Sequence, residues 1–274
     1  MAATEDKPEV LDARLQKGME QLEMMERGVD FSMCEGKGNW ALAWWAYLHN
    51  GIRLELQDMY HAVTGLRRMK KDATDELIRA FFEWFKHFER VFIQHLEFEE
   101  MNVFPNLKSK IQPRPKSLPS EDDHIQVGLK LNKVRAVEAL VGAKKPHKVA
   151  SELERVSTNF LLLALDNLRS EERNEAMLLF HHGKEDEDLK RLEKCLQEFY
   201  GKDIGLVNFL GDKAMADGVE KKRSGGMLGK MKTNMALKTA EKQYDKQRAG
   251  ILPLIEAFSK YPPVVDKEDE ILSE

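Results

Sequence analysis

Apolar residues along this chain recur at alternating three- and four-residue steps, and strict strand-like alternation is scarce. That period marks one face of an α-helix. Positions 42, 45, 49, 52, 56, 59, 63 and 66 read Leu, Trp, His, Ile, Leu, Met, Val, Leu, which predicts a first long helix from about Trp40 to Met69. A second is expected from Asp72 or Thr74, either of which can cap it, to about Phe104, with Pro105 helping to stop it. Its inner face reads Phe81, Trp84, Phe88, Phe92, His95, Glu99. The stretch IQPRPKSLPSEDD reads as a loop ending at the cap Ser120. A third helix follows to Val141 and Gly142, with His124, Val127, Leu131 and Val134 on one face. Pro146 suits the first turn of a fourth helix, which runs to His182 with Gly183 as its C-cap. Its face reads Leu153, Val156, Phe160, Leu163, Asn167, Glu171, Leu178.

Four long amphipathic helices with short connections predict an all-α fold, an antiparallel up-down four-helix bundle over residues 38–183. Residues 1–37 read as a helical lead-in, 8–27, and a loop. Residues 184–274 read as a helical extension: a fifth helix at 185–201, a Lys- and Arg-rich stretch at 213–248 interrupted by SGG, and an acidic tail, VVDKEDEILSE.

The two cysteines, Cys34 and Cys195, make no CxxC pair, which fits a reducing compartment and a cytoplasmic location. The polar, acidic start MAATEDKPEV has no apolar core of a secretory signal. No run of about 18 apolar residues occurs, so no transmembrane segment is expected. A net charge of −4 gives no general attraction to nucleic acid or anionic membrane. Any such attraction would be local to 213–248, where KKRSGGMLGKMKTNMALK interleaves Met and Leu with basic residues and could meet an acidic partner or a membrane surface. The commoner reading of such a stretch is a solvated helix or tail. No phosphate loop, nucleophile elbow, zinc motif or nucleic-acid module is present.

What changes this picture is where polar residues enter the apolar seams. Each of the four helices carries polar or metal-capable groups at one level: His49, then His95 with Glu99, then His124, then Asn167 with Glu171. A lone core histidine is usually a satisfied structural residue, but an unpaired polar group in a core costs a few kcal/mol, and one per helix calls for a common cause. His95 and Glu99, four apart, project from one helical face, a spacing that di-iron bundles use to aim ligands at a core site. There is also an internal echo. His49, His95 and Glu99 are spaced by 46 and 4 residues; His124, Asn167 and Glu171 by 43 and 4. HLEFEE at 95–100 aligns with NLRSEE at 167–172.

LHNGIRLEL around His49, FIQHLEFEEMNVFP around His95 and Glu99, SEDDHIQVGLKL around His124 and NLRSEERNEAML around Glu171 together resemble the hemerythrin-like family, also called HHE cation-binding domains. The resemblance covers about residues 38–182. It implies a four-helix bundle around a non-haem di-iron centre, with five histidines, two bridging carboxylates and one open position for dioxygen. Carried over, His49 and His95 hold one iron, Glu99 and Glu171 bridge, and His124 belongs to the other iron. Two positions depart from the pattern: Gly128 and Asn167 stand where the family has histidines. His61 and His87 are assigned to structure or surface.

Two functions follow. One is a metal-binding protein that binds or senses dioxygen or iron through an incomplete site, a binding protein more than an enzyme. The other is a metal-free bundle serving as a protein-interaction module, which Gly128, Asn167 and the long extension favour.

Overall fold

A computed structural model describes residues 29–111, 121–201, 204–218 and 234–261. The expected N-terminal helix, the cap at Ser120, the basic core 221–233 of the 213–248 stretch and the acidic tail lie outside the described residues. The chain divides into two compact units, residues 1–32 and 33–274. In the first, Ser32 donates to Asp30 through its backbone N–H (2.9 Å) and its hydroxyl (3.0 Å).

The second unit is all helical, with no strand among the described residues. Its helices are α1 (Trp40–Arg68), α2 (Asp75–Phe98), α3 (Phe104–Lys110), α4 (Glu121–Ala136), α5 (Pro146–His182), α6 (Glu185–Tyr200), α7 (Ile204–Gly218), α8 (Asn234–Ala249) and α9 (Leu252–Lys260). No helix among them is long and apolar enough to cross a membrane. Local chemistry sets several ends. Asn39 Oδ1 accepts from Leu42 N–H at 3.0 Å and starts α1; Thr74 Oγ1 accepts from Leu77 N–H at 3.3 Å and starts α2. Pro146 occupies the first turn of α5, where its missing N–H costs nothing.

Two helix ends differ from the expectation. Pro105 does not end the second helix. The α-helix gives way at Glu99 to a π turn, Glu99–Val103, and α3 continues it to Lys110. Phe104 N–H reaches back to Glu99 O, so the wider turn absorbs a residue just before the proline, which then sits in the first turn of α3. The third helix is α-helical only to Ala136; Val137–Leu140 tightens to a 3₁₀ turn.

Along α2 and α5 the core is an aromatic ladder. Trp84 stacks on Phe88 at 5.5 Å, and Phe160 of α5 meets Phe88 and Phe92 edge-on at 6.1 and 5.3 Å. Toward the other end, Trp44, Trp45 and Phe98 cluster with Leu192, Leu196 and Tyr200 of α6. Between these two apolar zones lies the level at which the polar residues enter.

Helix α1 departs furthest from its one-sided pattern. It is buried on nearly every face, because α5 covers one side while α7 and α9 cover another. Glycines allow the close approach. A Cβ on Gly51 would lie 3.0 Å from Leu210 Cβ of α7, and one on Gly65 would lie 1.9 Å from the Leu254 carbonyl oxygen of α9. Gly65→Ala is therefore expected to push α9 off α1 and cost about 1–3 kcal/mol or more. Thermal or denaturant unfolding would show it; an unchanged midpoint would mean that α9 does not pack there in solution.

A second polar cluster fastens α8 to α1. Arg248 Nη2 donates to Asp58 Oδ1 at 2.8 Å, its Nε donates to Asp58 Oδ2, and Tyr244 Oη donates to Asp58 Oδ2 at 3.3 Å. Arg248, part of the basic stretch, thus serves an internal contact. Beside them Glu55 is buried, and burial first, then the Asp58 charge, pushes its carboxyl up to about 8. The folded chain holds this proton above the pH at which the unfolded chain, with the ordinary glutamate value of 4.5, has lost it. Stability therefore falls as pH rises from about 4.5 to about 8. Glu55→Gln should flatten that slope and raise stability at pH 8 by up to a few kcal/mol, read from melting curves at pH 5 and pH 8. A variant with the parent's slope would show that Glu55 is ionised in the fold.

Candidate metal centre

The polar level is built by α1, α2 with its π turn, α4 and α5. His49 comes from α1, His95 from the last turn of α2, Glu99 from the π turn, His124 from α4 and Glu171 from α5. Helical periodicity carries each inward because it falls on the same face as core apolar groups of its helix, such as Trp45 and Ile52 for His49, Phe92 for His95, Val127 for His124 and Leu168 for Glu171. The π turn begins at Glu99, whose own N–H still bonds His95 O in the α register, so its extra residue re-aims the side chains beyond Glu99, as such turns do at functional sites.

One ligand atom from each of His49, His95, Glu99 and Glu171 lies within 4.8 Å of all the others, and all four residues are buried. His49 Nε2 is 3.3 Å from Glu99 Oε1 and 3.3 Å from Glu171 Oε2. His95 Nε2 is 3.4 Å from Glu99 Oε1, and the two imidazoles meet edge-on with centroids 5.1 Å apart. His124 stands at the rim. Its Nε2 is 3.0 Å from Glu171 Oε1 and 3.8 Å from Glu99 Oε2, and its Nδ1 is 3.0 Å from Glu100 Oε1. All five sequence-predicted residues therefore share one core, four in a tight group and His124 joined through Glu171. His61 packs its ring on Phe258 at 4.6 Å, and His87 is exposed beside Gln247; neither joins the group.

Asn167 Nδ2 donates to Glu171 Oε1 at 2.6 Å, so the amide serves as a partner for the carboxylate. A Cβ at Gly128 would meet nothing within 4 Å.

A supporting set escaped the sequence reading. Glu172 Oε1 is 3.0 Å from His49 Nδ1 and is clamped by Arg53, whose Nη1 and Nη2 donate to Oε1 at 2.6 Å and Oε2 at 2.8 Å. Arg53 Nη1 also donates to Asn50 Oδ1 at 3.0 Å, and Asn50 exchanges two hydrogen bonds with the Cys34 backbone, each 2.9 Å. Glu175 is a further buried carboxyl. The available signal was spacing: Arg53 is four residues beyond His49 and Glu175 four beyond Glu171, each on the same helical face as the residue before it.

Charge is unevenly shared. Burial pulls the His49 imidazole down, but the carboxylates of Glu171, Glu172 and Glu99 against it outweigh this and hold it well above the usual histidine range. Burial, then the His49 charge, pushes His95 down to about 3, so it is neutral with a lone pair to offer. Burial and then Glu171 push Glu99 up to about 7. Burial opposes ionisation of Glu171 and Glu172, yet His124 and His49 hold Glu171 well below the carboxylate range, and His49 and Arg53 hold Glu172 at about 2. The Glu172 carboxylate thus fixes the His49 Nδ1 proton and turns Nε2 toward the group, the second-shell device that orients metal-binding histidines.

Several buried atoms here make no hydrogen bond: His95 Nε2, Glu99 Oε2, Glu171 Oε2 and both oxygens of Glu175. Buried polar atoms are normally satisfied, and leaving one unpaired costs about 1–3 kcal/mol. A cation among these donors would satisfy several at once. The donor set of imidazole and carboxylate fits iron, manganese or zinc, and no thiol takes part.

No family model, no curated protein and no solved structure matches the chain.

Proposed function

We propose that this chain is a non-haem iron-binding protein of hemerythrin type, a four-helix up-down bundle that binds or senses dioxygen or iron in the cytoplasm. The observation that carries the reading is the group His49, His95, Glu99 and Glu171, four buried ligand atoms within 4.8 Å of one another with unpaired lone pairs among them. The up-down reading rests on side-chain pairs. His49 with Glu172 and Arg67 with Glu154 run α1 against α5; His124 with Glu99 and Arg135 with Glu89 run α4 against α2.

His49, His95, Glu99 and Glu171 would hold the first ion, and His124 with Glu171 would hold a second more weakly. Iron bound by these residues would supply an open coordination position for dioxygen. The protein's part is to keep the position dry and fixed. The Trp44, Trp45, Phe98 and Tyr200 cluster excludes water on one side and the Phe88, Phe92 and Phe160 ladder does so on the other. Arg53 and Glu172 hold His49 in one orientation.

The second reading, a metal-free interaction bundle, draws on Asn167, which satisfies Glu171 without a metal. It leaves His95 Nε2 and Glu99 Oε2 unexplained. Elemental analysis of the full chain, prepared aerobically and anaerobically with iron(II), decides between them. At least one iron per chain is expected, with near-ultraviolet or visible absorption if two ions share an oxygen bridge. A folded chain that retains no iron after dialysis would favour the metal-free bundle.

A further inference from the structure

Glu175 is a buried carboxyl at this centre that neither the expected ligand set nor the Arg53–Glu172 clamp uses. It follows Glu171 by one turn of α5, so both carboxyls project from one helical face, with Cβ atoms about 5–6 Å apart. Its exposure is 0%, and neither carboxyl oxygen makes a hydrogen bond. Other buried carboxyls in this level have partners: Glu172 has Arg53 and His49, and Glu171 has His124 and Asn167 through Oε1. The atoms left without a hydrogen bond are Glu171 Oε2, Glu99 Oε2, His95 Nε2 and the two oxygens of Glu175. The groups that act electrostatically on Glu175 include Glu171, Glu99 and His49, all members of the tight group. A carboxyl buried without a partner is costly in either protonation state, and a cation shared with that group would remove the cost.

The geometry points to Glu175, which stands one turn beyond Glu171 and outside the four-atom group, as a further ligand that swings onto the ion held by His49, His95, Glu99 and Glu171, so that this position offers two imidazoles and three carboxylates. The inference rests on the metal-binding reading above. It changes the class of cation. Four donors satisfy zinc, which settles into tetrahedral sites, whereas carboxylate-rich sets with more donors suit harder ions such as manganese(II). Along α5 the chain thus carries an amide one turn before Glu171, where an imidazole is expected, and a carboxylate one turn after it. The expected result of that exchange is a site that holds manganese(II) or iron in preference to what an imidazole-dominated set would choose.

The test is competition against a chelator on the full chain, with manganese(II) and zinc(II) as separate probes. Glu175→Gln keeps the shape and removes the charge; Glu175→Met keeps the length and removes the donors, and unfolding curves of both confirm the fold. Each variant is expected to bind manganese(II) at least tenfold more weakly than the parent while zinc(II) affinity changes less than threefold, a split that a purely structural role for Glu175 would not give. Parent-like affinity for manganese(II) in both variants, or equal weakening for both metals, overturns the assignment of Glu175 and leaves the metal reading standing. A parent chain that binds neither probe nor iron overturns both.

Discussion

If the chain binds iron as proposed, replacing His95 with alanine is expected to remove most of it, and replacing His124 to remove less. His95 belongs to the four-atom group, and its Nε2 has no hydrogen bond to lose in the metal-free fold. Burial and the neighbouring His49 keep it neutral, so its lone pair is available throughout the physiological range. His124 sits outside that group, with its nitrogens 3.0 Å from Glu171 and 3.0 Å from Glu100. Losing a direct ligand should exceed the roughly 10–100-fold that loss of a supporting residue costs in affinity. The His95→Ala chain should still fold, since the change leaves a cavity of the kind that costs a core about 2–5 kcal/mol. Iron per chain after dialysis, read beside an unfolding curve, measures both effects. Equal losses from the two variants would argue for a coupled two-iron centre with additional ligands on the His124 side, and full retention by His95→Ala would remove this residue from the site.

The double variant Gly128→His with Asn167→His is expected to raise iron binding toward two per chain. Both positions lie one turn from a residue already at the centre: Gly128 follows His124 and Asn167 precedes Glu171. A side chain at 128 has room to begin, because a Cβ there meets nothing within 4 Å. At 167 the new imidazole would displace an amide whose hydrogen bond to Glu171 Oε1 occupies the acceptor that also faces His124. Freeing that oxygen and adding two imidazoles supplies the His124 side with a donor set that suits iron. Removing a glycine from the interior of α4 should also stabilise the helix by about 0.5–1 kcal/mol. Iron stoichiometry of the folded variant is the readout. If it binds no more iron than the parent, the His124 side cannot accept an ion and the centre is mononuclear or empty.

The pattern of apolar steps by itself determined that this protein is helical, where α1, α2 and α5 begin, and which level of each seam is polar. Those features are local: Asn39 and Thr74 cap their own helices, and the i, i+4 repeat puts His95 beside Glu99 whatever else surrounds them. The convergence of His49, His95, Glu99, His124 and Glu171 was legible for the same reason, since an inward polar residue on each of four amphipathic helices has one shared interior to enter. Three things were decided only by the tertiary structure. The π turn at Glu99–Val103 was invisible because Pro105 reads locally as a stop, and only packing of Phe104 and Leu107 against the core makes continuing the helix worthwhile. The burial of α1 on nearly all sides depends on α7 and α9, which arrive from beyond residue 200 and approach at Gly51 and Gly65. The roles of Arg53, Glu172 and Glu175 look like ordinary surface charge in a one-dimensional pattern; they become a clamp on His49 and an unpaired buried carboxyl only once α1 and α5 face each other, because the cost of a charge is set by the neighbours that exclude water from it.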